Sequence, residues 1–243
     1  MIYDCFTFFN ELDLLEIRME LLNKYVDYFV IGEANLTMTG KPKPWIFEAN
    51  KDRFSKFKDK IINVQVTDMP LGKCGAWGME YHQRNALKRG LNNLNGLDIV
   101  MMSDVDEIPK MKDVNIKQMT LFRNEWCTYY ANRSKGKWPG TIAGTWCDLK
   151  YYSMQDLRNM RAALPNVIQD GGWHFSWFGS PDEIVCKIES FSETVCDTIE
   201  NKDKERLKKC METDDDFLRL GILKPYTGYP DIFNQDKFKR YLK

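Results

Sequence analysis

Residues 97–107 read LDIVMMSDVDE, an apolar run that ends in three acidic residues. The apolar part, residues 97–102, predicts a strand buried on both faces, which is typical of a parallel sheet covered by helices. Asp104 and Asp106 follow it, and positions i and i+2 of an extended segment point to the same side. The stretch therefore predicts two carboxylates at the carboxyl end of a strand, where open α/β sheets bind ligands.

The residues before this stretch alternate between strand-like and helix-like patterns. Apolar, β-rich runs predict strands at residues 2–9, 28–31 and 61–66. Apolar positions at helical spacing predict helices at residues 11–25, with Asn10 as its cap, and at residues 79–94. This order predicts an α/β protein with a mostly parallel central sheet flanked by helices.

The second half of the sequence is less regular. Residues 116–152 predict several strands rich in Trp, Tyr and Cys, interrupted by a loop at residues 136–144 that contains Gly and Pro. Ser180 and Pro181 have the pattern of a helix start, with Pro at the first helical position. Helices are therefore predicted at residues 182–191, and also at residues 203–212 and 232–242.

Composition excludes several classes of protein. Lys plus Arg and Asp plus Glu each number 35, and a net charge of zero argues against a nucleic-acid backbone as the main partner. Seven cysteines include no CxxC pair, and with only two histidines they exclude a zinc finger or ribbon. No apolar run approaches about 18 residues and no signal-peptide pattern opens the sequence, so we expect no membrane span.

Polar side chains follow each predicted strand of the first half. They are Asn10 and Glu11, Glu33 and Asn35, Asp68, and the pair Asp104 and Asp106. Because the carboxyl ends of parallel strands share one edge of the sheet, these side chains are expected to converge there. Two carboxylates at that edge make an oxygen-rich site suited to Mg²⁺ or Mn²⁺. A solvated acidic turn is the alternative for the Asp pair.

Other candidate functional residues carry two interpretations each. Arg84, on the helix before the acidic stretch, suits a diphosphate or a ribose, or else a surface salt bridge. His174, in the sequence GGWHFS, is either a metal ligand or a half-buried core histidine. Asp170, four residues earlier, is either a general base or a turn cap. Four tryptophans are candidates for stacking on sugars: Trp138, Trp146, Trp173 and Trp177.

Six stretches together resemble glycosyltransferase family 17. They are residues 2–18 (IYDCFTFFNELDLLEIR), 26–35 (VDYFVIGEAN), 39–44 (TGKPKP), 83–87 (QRNAL), 103–109 (SDVDEIP) and 170–176 (DGGWHFS). The resemblance runs through nearly the whole chain. It implies the GT-A fold of the nucleotide-diphospho-sugar transferases. It also implies a metal-dependent, inverting transfer from a UDP-sugar, with N-acetylglucosamine as the expected sugar, to a glycan acceptor.

The resemblance also implies roles for individual residues. Asp104, Asp106 and His174 would hold Mn²⁺ or Mg²⁺. The donor would contact Asn10, Glu33, Asn35, Lys41, Arg84, Asn85 and Asp104. Trp138 and Trp173 would contact the acceptor. The general base would be Asp170, with Asp148 and Glu107 as alternatives.

We expect one catalytic domain over residues 1–243. Residues 1–110 would form its nucleotide-sugar half and residues 111–243 its acceptor half. A soluble, cytoplasmic protein is expected, and the Golgi lumen only if the sequence is a fragment. Two other functions are compatible with the residues. One is a Mg²⁺-dependent phosphatase of the haloacid-dehalogenase type with Asp104 as nucleophile. The other is a non-catalytic protein that binds nucleotide sugars or carbohydrates.

Overall fold

A computed structural model describes all 243 residues, and one nine-stranded sheet runs through the molecule. Its strands are β1 Ile2–Phe8, β2 Tyr28–Ala34, β3 Ile61–Val66, β4 Ile99–Asp104, β5 Glu107–Pro109, β6 Thr120–Thr128, β7 Arg133–Thr145, β8 Val167–Ser176 and β9 Lys224–Pro225. The strand order is β3-β2-β1-β4-β7-β6-β8-β5, and β9 pairs with β7. The predicted α/β class with a central sheet is confirmed.

The prediction of a mostly parallel sheet holds only for the first half. Strands β1 to β4 pair in parallel, as do β6 and β8, whereas β7 is antiparallel to β4, β6 and β9, and β5 is antiparallel to β8. Strands β6 and β7 are joined by only four residues, which is too short for the crossover that a parallel pair requires. The sheet is therefore mixed.

Helices cover both faces of the sheet. They are α1 Leu12–Leu22, α2 Ile46–Ala49, α3 Ala76–Ala86, α4 Trp146–Leu149, α5 Met154–Met160, α6 Pro181–Ile188 and α7 Lys204–Thr213. Segments of 3-10 helix lie between some of them, the longest at Lys51–Lys60. Alternate residues of β1 feed two cores: Phe6 packs in the cluster that includes Leu15 of α1, and Cys5 in the one that includes Met79 of α3. No helix combines the length and apolar character that crossing a bilayer requires.

Two local predictions were wrong. Residues 136–144 lie within β7 rather than in a loop. The strand has a glycine at position 140 because a Cβ there would lie only 2.2 Å from the side-chain amide nitrogen of Asn124. Residues 232–242 form two 3-10 turns rather than a helix. Phe233 and Phe238 are both buried, and a spacing of five residues does not place two side chains on one helix face.

Helix boundaries also shifted from their predicted positions. Helix α1 begins at Leu12, and its N-cap is Glu11 rather than Asn10, with no side-chain cap bond. Helix α3 begins at Ala76 and tightens into a 3-10 turn after Ala86. The start of α6 agrees with the sequence, because Ser180 caps it in a capping box with Pro181 at the first helical position.

Candidate functional site

A cavity of about 710 Å³ opens beyond the carboxyl ends of β1 and β4. Thr7 and Glu11 line it from the end of β1, and Asp104 and Asp106 from the end of β4. Helices α3, α5 and α6, the strands β6 to β8, and loops within residues 36–43, 190–196 and 218–220 supply the remaining walls. Its size falls in the range of small-molecule sites, and its place agrees with the rule for ligand sites in α/β sheets.

Asp104 is the last residue of β4 and carries two arginine contacts. Its Oδ1 accepts from Arg84 Nη2 at 3.0 Å, and its Oδ2 accepts from Arg158 Nη2 at 2.7 Å. Thr7 Oγ1 also donates to Oδ1, at 3.0 Å. Burial opposes ionisation here, but the guanidiniums of Arg158 and Arg84 outweigh it and hold the Asp104 pKa well below its usual range. Asp104 is therefore a carboxylate at neutral pH.

Asp106 lies in the turn between β4 and β5, so the extended geometry assumed for the pair ends at Asp104. Its carboxylate lies 3.1 Å from Lys187 Nζ and 3.6 Å from His174 Nε2. Burial raises the Asp106 pKa, but Lys187 and then His174 lower it by more, so the net pKa lies below the usual range. Both aspartates line the same cavity despite the turn.

His174 stands on β8 against two indole rings. Its ring centroid lies 4.7 Å from that of Trp138 and 5.9 Å from that of Trp126. The Nδ1 atom of His174 is buried and has no hydrogen-bond partner. A buried ring nitrogen of this kind is costly without a partner, so it marks a place where a bound group would restore the lost bond.

The lining is rich in cationic side chains that the sequence reasoning missed. Besides Arg84, it includes Lys43, Arg158, Arg161 and Lys187. Arg158 bridges Asp104 and the buried Glu107, whereas Arg161 only approaches Glu107 at 3.5 Å. Burial and then the Arg158 charge lower the Arg161 pKa. The spacing of Arg158 and Arg161, three residues apart, is the signal that would have placed them on one side of a helical segment.

The cavity holds carboxylate and imidazole groups that are candidate ligands of a divalent metal. No group of three or more His, Cys, Asp or Glu side chains is arranged to hold a metal. Asp106 and His174 nevertheless pair, with Oδ1 of Asp106 3.6 Å from Nε2 of His174, and Asp104 lines the same cavity. Carboxylate and imidazole donors suit a divalent ion. The donor set fits such an ion, although both Asp104 oxygens already accept from arginines.

Most of the predicted donor contacts lie outside the cavity. Asn10 is exposed, and the side chain of Lys41 is 60% exposed beside Glu189. Glu33 is fully buried and holds the start of α2, where it accepts from the backbone N–H groups of Ile46 and Phe47. Glu33 lies within β2, next to its last residue, and its place there reflects that structural role.

Two amide side chains complete the set of predicted donor contacts. Asn85 accepts from the backbone N–H of Gln155, and Asn35 is half-buried. Neither lines the cavity. Of the residues predicted to contact the donor, the structure brings only Arg84 and Asp104 to the cavity.

Of the two tryptophans predicted to contact the acceptor, Trp138 of β7 faces the cavity and Trp173 of β8 does not. Trp138 lines the cavity, but Trp173 points away, donates from Nε1 to the Gly228 carbonyl and stacks on Phe175. Adjacent residues of a strand face opposite sides, so Trp173 and His174 cannot both face the cavity. Trp126, which the sequence reasoning did not single out, takes the place beside Trp138, with ring centroids 4.6 Å apart.

None of the three predicted bases presents a free carboxylate to the cavity. Asp170 is 80% exposed and paired with Lys137, which lowers its pKa. Asp148 accepts from Thr145 Oγ1 at the start of α4, outside the cavity. The Glu107 side chain is fully buried and held by Arg158 and by the indole N–H of Trp138. Besides the two aspartates, the carboxylates that line the cavity are Glu11, Glu80 and Glu193.

Comparisons with known proteins place the chain among glycosyltransferases. The model of glycosyltransferase family 17 matches residues 1–235. The β-1,4-mannosyl-glycoprotein 4-β-N-acetylglucosaminyltransferases of Homo sapiens, Rattus norvegicus and Mus musculus are each 26% identical to it over 219 residues. Each alignment covers 74% of this chain and 41% of the relative, so the chain spans less than half the length of these relatives.

Proposed function

The chain belongs to glycosyltransferase family 17, and we propose that it transfers N-acetylglucosamine from a UDP-sugar to a hydroxyl of a glycan, with inversion at the anomeric carbon. The sugar is taken from the names of the mammalian relatives. The observation that carries the proposal is the cavity beyond β1 and β4, which combines an aspartate pair with five cationic side chains. Family membership also argues against the phosphatase alternative.

We propose that the whole chain forms one GT-A domain. Residues 1–110 would be its nucleotide-sugar half and residues 111–243 its acceptor half. The cavity supports this division, because Asp104 and Arg84 line it from the first half and Trp138 and Lys187 from the second. Donor and acceptor would then meet where the two halves face each other.

The departing diphosphate would bind the arginines of the cavity. Arg161 is the least neutralised of them, because its Nη1 is buried without a hydrogen bond and the nearby Arg158 disfavours its charge. An added phosphate would relieve both penalties through charge-assisted hydrogen bonds. Charge that grows on the leaving group would thus be stabilised by groups already in place.

Asp106 and His174, together with Asp104, are the residues that would hold a divalent metal. When bound, such an ion supplies Lewis-acid stabilisation of the diphosphate. The Asp106 carboxylate, which lies 3.6 Å from His174 Nε2, and the place of all three residues in the cavity lining support this assignment. Beside His174, Trp126 and Trp138 offer ring surface for the apolar face of a sugar.

We propose Glu193 as the general base in place of Asp170. Inversion requires one carboxylate to take the proton of the acceptor hydroxyl. The hydroxyl oxygen bonds to the anomeric carbon as UDP departs. Of the five carboxylates that line the cavity, only Glu193 makes neither an ion pair nor a side-chain hydrogen bond. A base must be free to accept that proton, which favours the uncommitted group.

Calorimetric titration with nucleotide sugars tests the proposal. UDP-N-acetylglucosamine is added with Mn²⁺ and then with EDTA, and GDP-mannose serves as the mismatched control. Tighter binding of the UDP-sugar, dependent on the metal and followed by transfer to glycan acceptors, is expected. Absence of nucleotide-sugar binding under both conditions would contradict the proposed function. Binding without turnover on any acceptor would favour the non-catalytic alternative.

A further inference from the structure

Arg18 is a fully buried arginine that does not line the cavity. It lies in α1, and its side chain has no exposed surface. Burying a guanidinium is costly unless its charge is paired and its donors are satisfied. The acceptors that its N–H groups bind therefore indicate its role.

One edge of the Arg18 guanidinium binds Asp4 of β1 through two bonds. Nε donates to Oδ2 at 2.7 Å and Nη2 to Oδ1 at 2.6 Å, which is the bidentate geometry of arginine and carboxylate. Asp4 is also fully buried, so the two charges compensate each other inside the core. The Phe6 ring lies 4.4 Å from the guanidinium carbon and restricts it further. Asp4 therefore orients the guanidinium plane.

The remaining donors reach the backbone of the acidic turn, residues 104–107. Nη1 donates to the carbonyl oxygens of Asp104 at 3.0 Å, Val105 at 3.2 Å and Glu107 at 2.8 Å. Nη2 donates to Ser103 Oγ at 2.7 Å. One buried cation thus gathers three carbonyls of the segment that carries both cavity aspartates.

This contact acts at the point where the strand pairing of β4 stops. Residues 105 and 106 form a turn, and a buried turn carbonyl without a partner is unfavourable. Arg18 donates to the Val105 carbonyl, and the Asp106 carbonyl accepts from Phe175 N–H at 2.8 Å. The directions in which the Asp104 and Asp106 side chains enter the cavity depend on this backbone.

We propose that Arg18, oriented by Asp4, is a positioning residue that fixes the acidic turn for donor binding. The inference rests on the proposed function, since it acts through Asp104 and Asp106 and touches no substrate. Lysine cannot replace arginine here, because a single ammonium has no planar fork with which to bind Asp4 and three carbonyls together.

The test compares three variants with the wild-type chain. Arg18→Lys keeps the charge and removes the fork. The double variant D4N/R18M removes both buried charges, so that neither remains uncompensated and the chain has the better chance of folding. Arg53→Met is the matched control, because Arg53 also pairs with α1 carboxylates, Asp13 and Glu16, but does not contact the acidic turn.

Two readouts separate positioning from general destabilisation. Hydrogen exchange of the peptide over residues 103–109 is expected to rise in Arg18→Lys and D4N/R18M at a temperature where circular dichroism shows both folded. The calorimetric Kd for UDP with Mn²⁺ is expected to rise by about 10- to 100-fold, as for residues that orient metal ligands. Both readouts should change less in Arg18→Lys than in D4N/R18M. Neither should change in Arg53→Met.

The outcomes are distinguishable from a failure of the proposed function. Folded D4N/R18M protein with wild-type exchange over residues 103–109, or with wild-type UDP affinity, would overturn the positioning role. A wild-type chain that binds no UDP would instead overturn the proposed function. In that case the exchange readout still decides whether Arg18 fixes the turn, because it requires no ligand.

Discussion

Asp106 illustrates how one side chain connects the sheet to the cavity. Its carboxylate lies between Lys187 and His174, and its backbone carbonyl accepts from Phe175. Loss of its charge therefore removes a metal-ligand candidate and leaves Lys187 with the more distant Glu11, at 3.6 Å. The role proposed for Asp106 in donor binding therefore depends on its charge.

Asp106→Asn is expected to abolish metal-dependent UDP binding while the chain stays folded, because the amide has nearly the same shape but no charge. Calorimetry with Mn²⁺ and with EDTA measures the effect, and circular dichroism checks the fold. Asp68→Asn is the control, since Asp68 lies outside the cavity and pairs with Arg89. An unchanged metal-dependent affinity in Asp106→Asn would remove Asp106 from the metal assignment.

Glu193→Gln is expected to lower kcat by about 10²- to 10⁴-fold with little change in KM for the donor, because general-base catalysis contributes gains of that order. Steady-state kinetics with a glycan acceptor measures both parameters. Asp170→Asn is the matched comparison and is expected to retain near-normal turnover, because its side chain is exposed and bound to Lys137. The reverse pattern would return the role of base to Asp170.

Helix α6 shows how a local sequence signal supports the site. Ser180 accepts from the Glu183 N–H, and Glu183 returns the bond to the Ser180 N–H, which is the reciprocal capping box. The helix carries Lys187 to Asp106. The stability of this short helix therefore bears directly on the cationic side of the cavity.

Ser180→Ala is expected to reduce the free energy of unfolding by about 0.5–2 kcal/mol, the usual cost of a lost N-cap. Urea denaturation followed by circular dichroism measures the change. Ser55→Ala serves as the control, because Ser55 is exposed in a 3-10 segment and caps no helix. Equal stabilities of the two variants would show that the cap contributes nothing.

Strand β8 depends on glycine at one tight crossing. Gly172 has φ of +152°, and a Cβ there would meet the Ile108 carbonyl oxygen at 2.1 Å. Both the backbone conformation and the space exclude a side chain. This crossing pairs β8 with β5, next to the acidic turn.

Gly172→Ala is expected to destabilise the chain by more than Gly136→Ala, whose φ of +126° carries similar strain but whose Cβ would meet nothing within 4 Å. Backbone strain alone costs about 1–3 kcal/mol, and the Ile108 contact adds to it. Thermal unfolding of both variants measures the difference. Equal melting temperatures would show that the backbone around Ile108 yields without cost.

The molecule as a whole places several ionised carboxylates among cations near the cavity. The pKa values of Asp104 and Asp106 both lie below the usual range in the folded chain. The unfolded chain binds protons first, at a pKa of about 3.9 for aspartate. The stabilisation from these groups is therefore complete above that pH and is lost as pH falls toward the lower folded values.

Low pH is expected to protonate these aspartates and so to favour unfolding. The wild-type chain should lose stability as pH falls from about 5 to about 2, and Asp106→Asn should lose less over the same interval, because one linked group is absent. Urea titrations at each pH measure the slopes. Parallel stability curves for the two proteins would show that the ionisation of Asp106 does not contribute to acid sensitivity.

The amino-acid sequence alone was enough for the strands of the first half, the start of α6 and the place of the acidic pair. These features depend on short-range patterns, because a buried strand and a helix cap are encoded within about ten neighbouring residues. The parallel order β1 to β4 followed from the same alternation. Arg84 and His174 reached the cavity from positions that such patterns also singled out.

Tertiary packing decided which polar residues the cavity contains. Arg158 meets Asp104 across 54 residues of sequence and Lys187 meets Asp106 across 81, and no local pattern records such a pairing. Glu33 and Asp170 occupy expected sequence positions, yet one is buried beneath α2 and the other exposed beside Lys137. Burial and charge pairing are properties of the assembled chain, so the availability of a carboxylate depends on contacts formed only in the folded molecule.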